Sequence, residues 1–79
     1  MIFNVGRQLD YMIIKQTIGG KTIYIDCEYD VHRVYIWIYE NGIQIAEYCQ
    51  ESFEVAMDQA VMDYKCDRNG WENTKSPIS

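Results

Sequence analysis

The stretch VHRVYIWIYENGIQIAEYC, Val31 to Cys49, most constrains how this chain folds. Two runs rich in β-branched and aromatic residues flank Asn41-Gly42, a pair that accepts the positive φ angles of a type I′ turn, so the stretch reads as a β-hairpin. Upstream, Gly19-Gly20 separates a strand expected from Tyr11 to Ile18 from a second expected from Lys21 to Tyr29. Asp30 and Val31 connect the two hairpins. The spacing therefore predicts four strands in an antiparallel meander.

Register is found by counting outward from the turns, because a slip of one residue sends every side chain to the other face. Two-residue turns place Ile14 beside Ile25, Ile25 beside Ile36, Ile23 beside Ile38, and Ile38 beside Ile45. Cys27 falls beside Met12 and Val34. One face is then aliphatic. The other receives Tyr11, Lys15, Tyr24, Asp26, Glu28, Arg33, Tyr35, Trp37, Tyr39 and Tyr48, with Glu28 across from Arg33 as an opposite-charge pair. The same count sets Cys27 and Cys49 on either side of Val34, about 9–10 Å apart and too far for a disulfide. Gln16 and Glu47 interrupt the aliphatic face on the expected edge strands, where inward polar groups discourage edge-to-edge aggregation.

A helix is expected from about Ser52 to Cys66, with Ser52 as N-cap. Phe53, Ala56, Met57, Ala60, Val61 and Tyr64 form one stripe at helical spacing, suited to lie across the aliphatic sheet face, and Met62 falls off it. Gly70 is expected to end the compact domain, residues 1–70, leaving residues 71–79 as a polar C-terminal tail whose large side chain is Trp71. Ile2, Phe3 and Val5 read either as a short edge strand or as a cover for one end of the core, with Gly6 as a break. The fold class is α+β: a four-stranded antiparallel meander with one C-terminal helix packed on one face.

Seventy-nine residues make one small core without room for a deep enclosed pocket, which lowers the expectation of a monomeric enzyme. The hydrophobic fraction of 48% with a single proline reads as folded. Met1 to Val5 carries no basic leading region or long apolar core, and no run approaches a membrane span, so neither a signal peptide nor membrane residence is expected and cytoplasmic residence is the default. Three cysteines without CxxC spacing read as reduced thiols.

No residue pattern calls for catalysis. His32, the one histidine, reads as a surface turn residue with no nucleophile at an interpretable spacing. Asp26 and Glu28 share a face, but Arg33 lies opposite and a flat sheet has no water-excluding cleft. Neither a paired-ligand metal motif nor a phosphate loop is present, so no cofactor is expected. Two surfaces remain. The aromatic face, Tyr24, Tyr35, Trp37, Tyr39 and Tyr48, has three readings: solvated cross-strand pairs, a protein contact made by self-association or with a partner, or a platform for base stacking. The outward side of the helix gathers Glu47, Glu51, Glu54, Asp58, Asp63 and Asp67, which reads either as a solvated face or as an acidic patch for a basic, nucleic-acid-binding protein. A net charge of −5 makes direct nucleic-acid binding the weakest of these.

From Tyr35 onward, the order of strand, Asn41-Gly42 turn, strand, Ser52 and a helix with Ala56 and Ala60 on its packed side resembles the second half of a double-stranded RNA-binding domain. That family grips phosphates with lysines after the helix-opening serine. Here Phe53, Glu54 and Met57 occupy those places, and a strand hairpin replaces the family's first helix, so the resemblance implies architecture and not phosphate binding. In size, acidity and lack of a chemical site the chain is similar to small phage-encoded inhibitors such as anti-CRISPR proteins, which implies a binding protein that blocks a partner. The expected site is Tyr24, Tyr35, Trp37, Tyr39 and Tyr48 with Glu51, Glu54 and Asp58; the alternative expectations are a homodimer joined through the aromatic face and a nucleic-acid-binding module.

Overall fold

The structure, a computed structural model, describes residues 11–28 and 33–75. The expectations for Ile2, Phe3, Val5, Gly6, Tyr29, Asp30, Val31 and His32 fall outside the described residues. Strands β1 (Tyr11–Ile18), β2 (Lys21–Glu28), β3 (Arg33–Glu40) and β4 (Ile43–Gln50) form the antiparallel meander, and helix α1 (Phe53–Tyr64) comes next. A two-residue strand, β5 (Glu72–Asn73), completes a five-stranded sheet of order β4-β3-β2-β1-β5.

The turn chemistry acts as expected. Asn41 and Gly42 adopt φ of 56° and 78°, and Gly19 and Gly20 adopt 60° and 81°, the mirror-image turns whose twist matches that of paired strands. Both hairpins hold the expected register at their turns. Ile14 pairs with Ile25, Ile25 with Ile36, Ile23 with Ile38, and Cys27 with Met12 and Val34.

The fourth strand departs from simple counting. Glu40 pairs with Ile43 and Tyr39 with Gln44, but Ile38 pairs with Ala46 rather than with Ile45. Ile45 is the extra residue of a β-bulge, which leaves one residue unmatched and exchanges the faces of everything beyond it. Ala46, Tyr48 and Gln50 therefore turn toward the helix, while Glu47 and Cys49 turn away. This corrects three placements: Tyr48 is absent from the aromatic face, Glu47 does not intrude on the aliphatic face, and Cys49 stands opposite Tyr35 instead of beside Val34. All three cysteines are free thiols.

The core lies between the sheet and α1. Ile23, Ile25, Ile36 and Ile38 are fully buried, and Ala56, Met57 and Ala60 close over them from the helix. Each such isoleucine contributes about 1.5–3 kcal/mol by leaving water. Small alanines let the helix come close to the sheet, while Phe53, Val61 and Tyr64 flank the seam. Ser52 caps the helix by accepting from the Val55 N–H at 3.2 Å. At the other end Lys65 takes a left-handed φ of 62°, and the N–H groups of Lys65 and Cys66 satisfy the carbonyls of Val61 and Ala60.

Order continues beyond Gly70, which corrects the expected polar tail from residue 71. The buried Gln16 side chain clasps the backbone of Asp67 from both sides, donating to its carbonyl at 2.9 Å and accepting from its N–H at 2.8 Å. Gln16 thus anchors the chain after the helix; it does not guard an edge, since β5 pairs with β1 at Ile14 and Lys15. Trp71 packs against the core cluster, and the Thr74 N–H donates to the Ile13 carbonyl at 2.9 Å.

Candidate functional site

On the face of the sheet opposite α1, register sets side chains in rows running across the strands. One row reads Glu72, Lys15, Tyr24, Trp37, Glu47 from β5 to β4; the next toward the turns reads Thr17, Thr22, Tyr39, Gln44. Strands alternate sides at every residue, so this face is fixed once the aliphatic face is buried. The four aromatic residues Tyr24, Tyr35, Trp37 and Tyr39 lie together on the two central strands, each of them half-buried.

Neighbouring polar groups hold these rings in place. Tyr24 and Tyr39 meet edge to face with centroids 5.4 Å apart. The Trp37 indole N–H donates to Glu47 Oε2 at 3.3 Å, the Tyr39 hydroxyl donates to Gln44 Oε1 at 3.3 Å, and the Thr17 and Thr22 hydroxyls meet at 3.2 Å. Glu47 and the exposed Cys49 belong to this face by virtue of the bulge, which counting from the turn misses, whereas Gln44, ahead of the bulge, lies beside Tyr39 where counting puts it. The one signal in the sequence was that an unbulged strand would have pushed the Glu47 carboxylate into the aliphatic layer.

The face is not open throughout. Ile13 and its register partner Asp26 are both buried, so the surface left for a ligand runs from the Lys15–Glu47 row toward the turns.

The remaining expected site residues sit elsewhere. Tyr48 faces the helix, its hydroxyl 3.0 Å from that of Tyr64, and beside it Gln50 donates to Gln59 at 2.6 Å. Burial and the bond to Tyr48 push the Tyr64 phenol up to about 12. Glu51 and Glu54 are exposed, with Glu54 in the first helical turn where the helix dipole favours an acid. Asp58 pairs with Arg68, and the Asp67 carboxylate accepts from the Asn69 N–H at 3.0 Å. With Glu47 on the far side of the sheet, the acidic surface around the helix is weaker than its residue count suggests.

Burial pushes the Cys66 thiol up to about 11, and burial together with the neighbouring Asp26 charge raises that of Cys27. Such thiols are protonated and shielded, unlike activated nucleophiles. Among the described residues no cluster of three or more histidine, cysteine or acidic side chains has metal-binding geometry, and no helix is long and apolar enough to cross a membrane. The chain matches no protein-family model, no curated protein and no solved structure.

Proposed function

We propose that this is a small non-catalytic binding protein that regulates or inhibits a partner protein by occupying part of its surface, and that its working surface is the aromatic sheet face around Trp37. The observation that supports this is the grouping of Tyr24, Tyr35, Trp37 and Tyr39 on the two central strands, away from the only helix among the described residues. Tyrosine and tryptophan anchor protein interfaces because they bury large area with few rotatable bonds. Rings already held by Glu47, Gln44 and one another lose little further freedom on binding. The net charge of −5 suits a basic partner, such as a nucleic-acid-binding enzyme, and Glu51 and Glu54 extend the acidic contact beyond the sheet.

Affinity capture from a nuclease-treated bacterial lysate tests the reading. A stoichiometric partner retained by the wild type and lost by the Trp37→Ser, Tyr39→Ser double variant, whose fold is verified by circular dichroism, is the expected result. Equal retention by both removes the aromatic face from the function.

A further inference from the structure

The row Glu72, Lys15, Tyr24, Trp37, Glu47 is self-complementary. We infer that a second copy of this chain docks on the aromatic face about a two-fold axis parallel to the strands, so that Lys15 of each copy meets Glu47 of the other. This rests on the reading of that face as a protein-docking surface and names an occupant for it.

Strand order carries the argument. Lys15 on β1 and Glu47 on β4 are separated by the two central strands, about 14 Å, and cannot pair within one chain. Among the described residues Lys15 makes no ion pair, although Glu72 is its register neighbour. A two-fold axis parallel to the strands exchanges left and right across the sheet, laying β1 on β4 and β2 on β3. Lys15 then meets Glu47 twice, and Tyr24 meets Trp37 twice. In the next row Thr17 meets Gln44 and Thr22 meets Tyr39, with no like charges opposed. An axis running across the strands instead stacks β1 on β1 and β4 on β4, bringing lysine toward lysine and glutamate toward glutamate. The charge pattern therefore selects one arrangement, which is the aligned packing of two sheets about 10 Å apart.

The same geometry sets the size of the contact. The four strands span about 20 Å, and with the Ile13–Asp26 row closed the open face runs about 13 Å along them, so it offers roughly 260 Å² of flat footprint per copy, well below the ~800 Å² per partner of a stable complex. Self-association is accordingly weak, in the micromolar range or above, and a tighter partner displaces the second copy by mass action.

Charge exchange tests the inference by sedimentation equilibrium at constant ionic strength. The wild type is expected to dimerise with rising concentration, while Lys15→Glu and Glu47→Lys each lose at least tenfold in dimer affinity. The double variant K15E/E47K is expected to regain it, and the two single variants mixed are expected to form a heterodimer, because each supplies the charge the other lacks. Net charge alone predicts a different order: E47K, with −3 in place of −5, would associate more strongly than the wild type. That order, or a dimer indifferent to both substitutions, overturns the inference. A wild type that stays monomeric into the millimolar range also overturns it; if that monomer still captures a partner through Trp37, the docking surface stands and only the second copy is removed.

Discussion

The indole N–H of Trp37 donates to the Glu47 carboxylate at 3.3 Å, across the outermost strand pair of the sheet. The contact depends on the bulge at Ile45, which turns Glu47 away from the helix and onto the aromatic face. Because the pair is exposed, Glu47→Ala should cost less than about 1 kcal/mol in urea unfolding. A clear gain in stability would instead mean that the carboxylate lies against the core.

Deleting Ile45 should be tolerated. The pairs on either side of it, Tyr39 with Gln44 and Ile38 with Ala46, already match, so removal straightens β4 without changing any face. The expected result is a folded protein within about 1 kcal/mol of the wild type, with nuclear Overhauser contacts between Ile38 and Ala46 retained. Loss of those contacts, or unfolding, would mean the bulge itself is required.

Ile38→Ala removes a fully buried side chain beneath the helix and should cost about 2–5 kcal/mol by lost transfer energy and cavity formation. Met62→Ala, at a position 77% exposed, should change stability by less than about 0.5 kcal/mol. Denaturant midpoints at constant m-value separate the two.

Truncation after Gly70 should destabilise the domain by about 2–4 kcal/mol, because it removes Trp71 from the edge of the core together with the β5 pairing. Thermal unfolding of the shortened chain measures this. An unchanged midpoint would mean that the terminal strand contributes nothing.

Alkaline pH should weaken the fold in two overlapping stages. Cys66 and Tyr64 hold their protons more tightly when folded, so the unfolded chain ionises first and stability falls as pH rises through the interval. For Cys66 that interval runs from about 9 to about 11, and for Tyr64 from about 10 to about 12. Below the lower bound the contribution is fully present. Cys66→Ala should make the first stage shallower, Cys27 keeping its own raised share of it, and Tyr64→Phe should flatten the second in stability measured against pH.

Local chemistry wrote most of this architecture into the sequence. Gly19-Gly20 and Asn41-Gly42 are fixed by backbone sterics, and the alternation of isoleucines then determines which face is buried across three strands. Two features escaped because their causes are not local. No glycine or proline marks Ile45, and the bulge is favoured by the two residues after it: small Ala46 beneath the helix and Glu47 out in water. Glu72 and Asn73 carry no strand pattern, and they pair with β1 because Gln16 and Trp71 fasten the preceding chain to the sheet. The aromatic cluster on β2 and β3 was legible in the same alternation, while the exchange of Tyr48 for Glu47 and Cys49 at its margin needed the bulge.

The most direct measurement is a dilution series of the isotopically labelled protein by NMR. Docking of a second copy on the aromatic face predicts concentration-dependent shifts at Lys15, Tyr24, Trp37, Tyr39 and Glu47, with Glu54 and Asp58 on the helix unmoved. Shifts confined to the helix, or none at any concentration, would contradict it.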